Sequence, residues 1–231
     1  RKIPERLDAN SEVLGVGLER QSLSEDHFSQ YRGGHCHPEI GPSWPRGQRP
    51  LVIWNHRWEF DKRPELFSAA ITRLLDAGFD FEVALLGESR SHEDVFQPLA
   101  DRLGSRCVAF GFLPTRGQYN DLLERGDIVV SCANQEYFGI SVAEAIHAGC
   151  YPVLPREQVY PTMYGTRCKG RHFYETEDEL VALLGDLMGG DSCGHVCSLD
   201  SDVDEFCWDR LVHSFDNLVD RVAASQFSEE P

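Results

Sequence analysis

From residue 51 onward, short apolar runs alternate with longer segments of helical periodicity, and this constrains the fold more than any other feature. Leu51-Val-Ile-Trp54 is the first run. The spacing of Leu66, Phe67, Ala70, Ile71, Leu74 and Leu75 predicts a helix from about residue 63 to 77. Pro64 suits its first turn, and Asp61 is placed to cap it. Further strands are predicted at 81–86, 107–110, 128–130 and 151–154, with helices at 92–103, 117–125 and 141–148 between them. Strand and helix thus alternate five times through short connections. That order predicts an α/β fold, a Rossmann-like parallel sheet with helices on both faces. The strand runs are apolar throughout, as strands covered on two sides are. Ligands in such sheets bind beyond the carboxyl ends of the strands. The site is therefore expected in loops 55–62, 87–90, 111–115, 131–139 and 155–162.

The flanks are less regular. Residues 1–50 read as a connector, with one short strand at 11–18 and with four Gly and four Pro in 31–50. Residues 51–188 form the predicted Rossmann-like domain. Helices are predicted at 176–187 and 205–223, the first capped by Thr176 with Glu179 completing a capping box. The intervening 189–203 reads as a surface loop, so 189–231 is loop plus C-terminal helix.

Charge and composition bound the function. Hydrophobic residues make up 41% and charged residues 26%, which are globular values. The formal charge of −16 is concentrated at the C-terminal end, where residues 171–231 hold 15 acids and 3 bases. A phosphate-rich partner is repelled there, so the chain is a poor stand-alone nucleic-acid binder. The earlier part can still hold a small anion. No apolar run approaches the roughly 18–20 residues of a membrane helix, and no signal-peptide pattern opens the chain. Of eight cysteines, Cys107, Cys132 and Cys150 lie in or beside apolar runs and read as buried. His35-Cys36-His37 and Cys193-Gly-His195-Val-Cys197 contain soft ligands but no C-x-x-C pair, and scattered loop residues account for them better. A reduced, cytoplasmic protein is expected. The P-loop, the complete G-x-G-x-x-G, H-E-x-x-H and G-x-S-x-G patterns are all lacking.

Two segments can carry chemistry. In Gln135-Glu-Tyr-Phe-Gly-Ile-Ser-Val-Ala-Glu144, Glu136 leaves the fourth strand and Glu144 lies one turn inside the next helix. Gly139 and Ile140 open that helix, where N–H groups lacking intrahelical partners meet the positive end of the dipole. A phosphate fits such a position, and glycine allows its close approach. A carboxylate on either side can then accept from sugar hydroxyls. Spacing alone favours the plainer reading of a capping acid and a solvated helical glutamate. The second segment, Trp54-Asn-His-Arg-Trp-Glu-Phe-Asp-Lys62, brings Arg57 and Lys62 beyond the first strand. Lys62 is one of three lysines in the chain. Both cations suit a diphosphate, although a solvated pair beside Glu59 and Asp61 is the bland alternative. Trp54 and Trp58 read as packing residues, and His147 as structural. His56 fits either loop packing or an acceptor contact.

These motifs in this order resemble the C-terminal domain of retaining family 4 glycosyltransferases of the GT-B fold. They are Arg57 and Lys62, Phe110-Gly-Phe-Leu113, Glu136-x7-Glu144 with Phe138-Gly139, and Gly149-Cys-Tyr-Pro-Val-Leu154. The resemblance covers about residues 50–190. The runs 54–62, Glu136-Tyr-Phe-Gly-Ile140 and 149–155 with Tyr160-Pro161 are similar to the tRNA-queuosine mannosyltransferase group.

The resemblance implies a donor site and roles for its residues. Arg57 and Lys62 would hold the donor diphosphate and stabilise the leaving group, and Gly139 and Ile140 would donate N–H bonds to phosphate. Glu136 would bind donor-sugar hydroxyls and Glu144 the ribose, and Leu113 would lie near the base. Gly87, Tyr137, Phe138 and Ser141 complete the expected donor-binding set. Catalysis would rest on Arg57, Lys62 and Glu136, with no metal required and no cofactor beyond the nucleotide-sugar co-substrate. Tyr137 stands where many family members have glycine. The implied reaction moves mannose from GDP-mannose to queuosine in tRNA. The acceptor would be held mainly by a first domain that is not recognisable in this sequence, and no membrane is involved. A family member using another nucleotide-sugar with a lipid, polysaccharide or small-molecule acceptor fits the same motifs. So does a non-catalytic nucleotide-sugar binding module.

Overall fold

A computed structural model describes residues 49–88, 93–165, 171–189, 206 and 208–227. The expected strand at 11–18, the His35–His37 and Cys193–Cys197 groups and nearly all of the 189–203 loop lie outside the described residues. The described residues fall into two units, one holding the sheet with its helices and one holding a C-terminal helix.

The first unit is a six-stranded sheet. Its elements run β1 (Leu51–Asn55), α1 (Pro64–Asp76), β2 (Glu82–Leu86), α2 (Glu93–Leu103), β3 (Cys107–Gly111) and α3 (Arg116–Arg125). They continue with β4 (Ile128–Val130), α4 (Ile140–His147), β5 (Tyr151–Pro155), α5 (Tyr160–Tyr164), β6 (Phe173–Tyr174) and α6 (Glu177–Met188). All paired strands are parallel, in the order β3-β2-β1-β4-β5-β6. The expected fold class is therefore the observed one. The predicted elements of this unit recur within a residue or two of their expected ends. The unforeseen β6 has two residues, and α5 has five. The second unit holds α7 (Trp208–Phe227), beginning three residues later and ending four residues later than its expected bounds.

Burial explains the strand composition. Every residue of β1 and β5 is buried, as two covered faces require. On one face Trp54, Trp58, Phe67 and Phe96 pack edge-to-face or tilted, with ring centroids 4.9–6.2 Å apart. The two tryptophans are thus packing residues, as expected from sequence. Cys132 and Cys150 are buried and Cys107 is half-buried; burial raises all three thiols, Cys132 to about 12. Cys132 and Cys150 are core residues, and Cys107 packs at the core's edge.

Two helix starts refine the sequence reading. Thr176 accepts from the Glu179 N–H at 3.2 Å, and the Glu179 carboxylate returns to the Glu175 N–H at 2.7 Å, one residue before the cap. Asp61 does not cap α1. The chain first makes a one-turn 3₁₀ helix over Phe60–Lys62, and Arg63, at φ 53°, takes the cap position without a side-chain bond. That turn sends Asp61 and Lys62 inward.

At the opposite end of the sheet, Asp127 accepts from the Leu51 N–H at 2.7 Å and ties β4 to β1. Burial raises its carboxyl to about 6, with Glu82 adding repulsion and the Leu51 N–H opposing the shift. The unfolded chain therefore releases this proton first, and the group's contribution to stability falls as pH rises from about 4 to about 6. Asp127→Asn is expected to remove that fall. Thermal unfolding of variant and parent from pH 4 to 7 measures it as a Tm difference that grows in the variant's favour across the interval.

Candidate functional site

The site lies where the strand order reverses. From β1 the chain leads outward to β2 and β3 on one side, whereas β4, β5 and β6 lie on the other. Loops leaving β1 and β4 diverge, opening a crevice at their carboxyl ends. The described loops 55–62 and 131–139 line this crevice.

Lys62 spans it. Its ammonium donates to the Gln135 carbonyl at 2.7 Å and the Glu136 carboxylate at 3.1 Å, and it lies 3.2 Å from the Asp61 carboxylate. Lys62 is 7% exposed. The Asn134 N–H reinforces the crossing by donating to the Asp61 carbonyl at 2.9 Å. Glu136 then links Lys62 to α4: its second oxygen accepts from the N–H groups of Tyr137 and Gly139, at 3.1 and 3.0 Å. Burial of Glu136 opposes its charge, but Lys62 and the Gly139 N–H outweigh that cost and hold the carboxyl below its usual value. Glu136 therefore takes up the Gly139 N–H expected for a phosphate. The N–H groups of Ile140 and Ser141 remain ahead of the first intrahelical bond, which runs from Ala143 to Gly139 at 2.9 Å.

Gly139 has φ 79°, and a Cβ there would approach the Tyr160 ring to 3.0 Å. Both the backbone and the space call for glycine. Tyr160 is itself fixed by a 2.8 Å bond with Ser131.

The second glutamate sits in a separate network. Glu144 accepts from Arg116 at 2.6 Å on one oxygen and from the Tyr119 phenol at 3.0 Å on the other. Tyr119 in turn accepts from the Asn55 amide at 3.1 Å, and that amide also donates to the Ser141 carbonyl at 2.7 Å. The two networks meet at His56, whose Nδ1 is 3.4 Å from the Ser141 hydroxyl.

The other candidates divide. Arg57 is exposed, with its guanidinium 3.4 Å from Glu59, and joins neither network. Gly87 has a packing role: a Cβ there would lie 1.9 Å from the His56 carbonyl, and its N–H donates to the Gly111 carbonyl at 3.2 Å. Leu113 is half-buried in the loop after β3, and Phe138 is half-buried before α4. Tyr137 is 83% exposed, with its hydroxyl accepting from the Gln135 amide at 3.0 Å. Phe60, Phe112, Tyr137 and Ile140 expose large apolar surface at this carboxyl end of the sheet. The sequence reading missed Asn55, Arg116 and Tyr119. Arg116 and Tyr119 stand three apart and share a helix face, and Asn55 is the polar residue ending an apolar strand.

Sheet order and crevice define a Rossmann-like α/β domain with its candidate site at the reversal point of the sheet. The model of the family "Glycosyl transferases group 1" matches residues 39–190. The chain belongs to that family. A tRNA-queuosine alpha-mannosyltransferase of Drosophila melanogaster is 42% identical over 134 residues, 58% of this chain. The match spans 34% of that relative's length. Solved structures agree in fold. A lipopolysaccharide outer core galactosyltransferase, WaaB in its apo form, superposes with TM-score 0.65 at 14% identity, covering 90% of this chain and 55% of that one. A sucrose-phosphate synthase from Thermosynechococcus elongatus superposes with TM-score 0.62 at 17% identity, covering 77% and 46%. No described helix is long and apolar enough to cross a membrane.

His56 is 4% exposed between the two networks. Burial first, and Lys62 second, lower its imidazole to about 4, while Glu136 and Asp61 oppose this. The neutral ring is stable in the fold above pH 6.5. As pH falls from 6.5 toward 4 the unfolded chain takes up the proton first, so stability is lost, by up to about 3 kcal/mol. His56→Gln is expected to flatten that acid limb, and chemical denaturation at pH 7 and pH 5 measures the change.

Proposed function

We propose that this chain is the donor-binding domain of a retaining glycosyltransferase that moves mannose from GDP-mannose to queuosine in tRNA. The observation that carries this reading is the crossing at Lys62, where a buried ammonium, a glutamate and the amino end of α4 meet in one crevice. The similarity to the Drosophila tRNA-queuosine alpha-mannosyltransferase supports the choice of mannose and of a tRNA acceptor. An acceptor of that kind supports a cytoplasmic enzyme.

In this reading the diphosphate lies against the Ile140 and Ser141 N–H groups. Arg57 and Lys62 face it as the bond between the sugar anomeric carbon and phosphate oxygen breaks. Charge then develops on that oxygen, and fixed donors and cations stabilise it more in the transition state than before. The acceptor hydroxyl forms the new bond to the anomeric carbon and passes its proton to the departing phosphate oxygen. Glu136 orients the sugar through its hydroxyls, and Glu144 takes the ribose. Leu113 lines the base side.

The full-length enzyme is expected to transfer mannose to queuosine-containing tRNA. Lys62→Ala and Arg57→Ala should each lower kcat by roughly 10²-fold or more, the scale for removing one transition-state donor. Mass spectrometry of the modified nucleoside measures the transfer. Undiminished turnover in both variants overturns the roles of the cations. Transfer from a UDP-sugar in place of GDP-mannose overturns the donor, and mannosylation of a lipid or polysaccharide instead of tRNA overturns the acceptor.

A further inference from the structure

We propose that Arg116 and Tyr119 form a clamp that sets the Glu144 carboxylate for a nucleoside ribose, making both of them positioning residues for nucleotide binding. This rests on the reading of Glu144 as the ribose carboxylate.

The clamp holds both oxygens from two positions on one helix. Arg116 reaches one oxygen at 2.6 Å and the Tyr119 hydroxyl the other at 3.0 Å. The guanidinium lies over the Tyr119 ring, 5.0 Å from its centre, so the two donors support each other. Tyr119 is fixed from behind by Asn55, which also holds the Ser141 carbonyl in the first turn of α4. The end of β1 and the first turns of α3 and α4 thus converge on one carboxylate. Burial, followed by the Glu144 charge, pushes the Tyr119 phenol up, so it keeps its proton and acts as a donor.

This arrangement suits binding better than it suits stability. An ion pair with one half-exposed partner contributes little to folding, and the Arg116 side chain is 46% exposed. A carboxylate oxygen has two lone-pair sites. One donor on each oxygen leaves one site on each, which matches the two adjacent hydroxyls of a ribose. Fixing a long side chain before the ligand arrives also removes the cost of ordering it on binding.

Titration of GDP and of 2′,3′-dideoxy-GDP into the full-length protein tests this. Glu144→Gln is expected to weaken GDP roughly tenfold and to leave the dideoxy analogue unchanged. Tyr119→Phe and Arg116→Met should each weaken GDP by roughly three- to tenfold, again sparing the analogue, with Arg116→Lys recovering part of the loss. Tyr119→Phe should add nothing in the Glu144→Gln background. Melting curves of the variants monitor folding, and the analogue serves as the internal control for the remainder of the site. The clamp is overturned if Glu144→Gln behaves as expected while Tyr119→Phe and Arg116→Met bind GDP as the parent does. It is equally overturned if they bind GDP more tightly, or weaken both ligands alike. If Glu144→Gln leaves GDP binding intact, the ribose reading itself is wrong and the clamp falls with it.

Discussion

Lys62 holds the crevice together. Its ammonium faces one carbonyl and two carboxylates, joining the loop after β1 to the loop after β4 across the sheet's reversal point. A charge with so little exposure is tolerated only when paired. Removing one partner of such a pair typically costs 3–5 kcal/mol, because the other charge is left without compensation. Glu136 extends the connection to α4 by accepting from Gly139, so the position of the helix start depends on the same ion pair. Loops are usually the least constrained parts of an α/β domain. Here the two that carry the candidate site are cross-linked to each other.

The crossing works because the loop beneath it is rigid. Trp54 and Trp58 anchor the stretch after β1 in an aromatic cluster with Phe67 and Phe96. Trp58 donates to the Leu86 carbonyl at 3.3 Å, and its own N–H bonds the Glu88 carbonyl at 3.1 Å. Gly87 allows the His56 carbonyl to pass at a distance no side chain permits. Gly87 thereby lets two loops touch.

The sheet was legible in sequence because both of its faces are covered. Strands such as Leu51–Asn55 then show unbroken apolar runs, and helices such as Pro64–Asp76 show one apolar stripe. The same reading missed β6, whose two residues are too few to show a period. Asp61 was misread because its type suits a cap; the positive φ of Arg63, which turns it inward, has no signature in residue type. Gly139 and Lys62 could be singled out by a helix start and unusual residue usage, while Glu136 and Glu144 stood out only through the family resemblance, since spacing alone favours a capping acid and a solvated helical glutamate. Arg116 and Tyr119 could not. Each is ordinary on a helix surface, and their meeting with Glu144 depends on α3 lying beside α4.

The geometry also divides labour between the two cations. Lys62 is held by three oxygens, so it is set in place before any ligand arrives. Arg57 is held at 3.4 Å by Glu59 and is exposed, which makes it the cation whose turning breaks least. In the proposed reading, a diphosphate entering beside Glu136 meets a carboxylate already seated at the start of α4. Lys62 offsets the repulsion between them from its fixed place beside Glu136, and a second cation moving in would add to it. In that reading the fixed lysine both maintains the shape of the crevice and presents its charge to the diphosphate, and the loosely held arginine adds balancing charge at small structural cost.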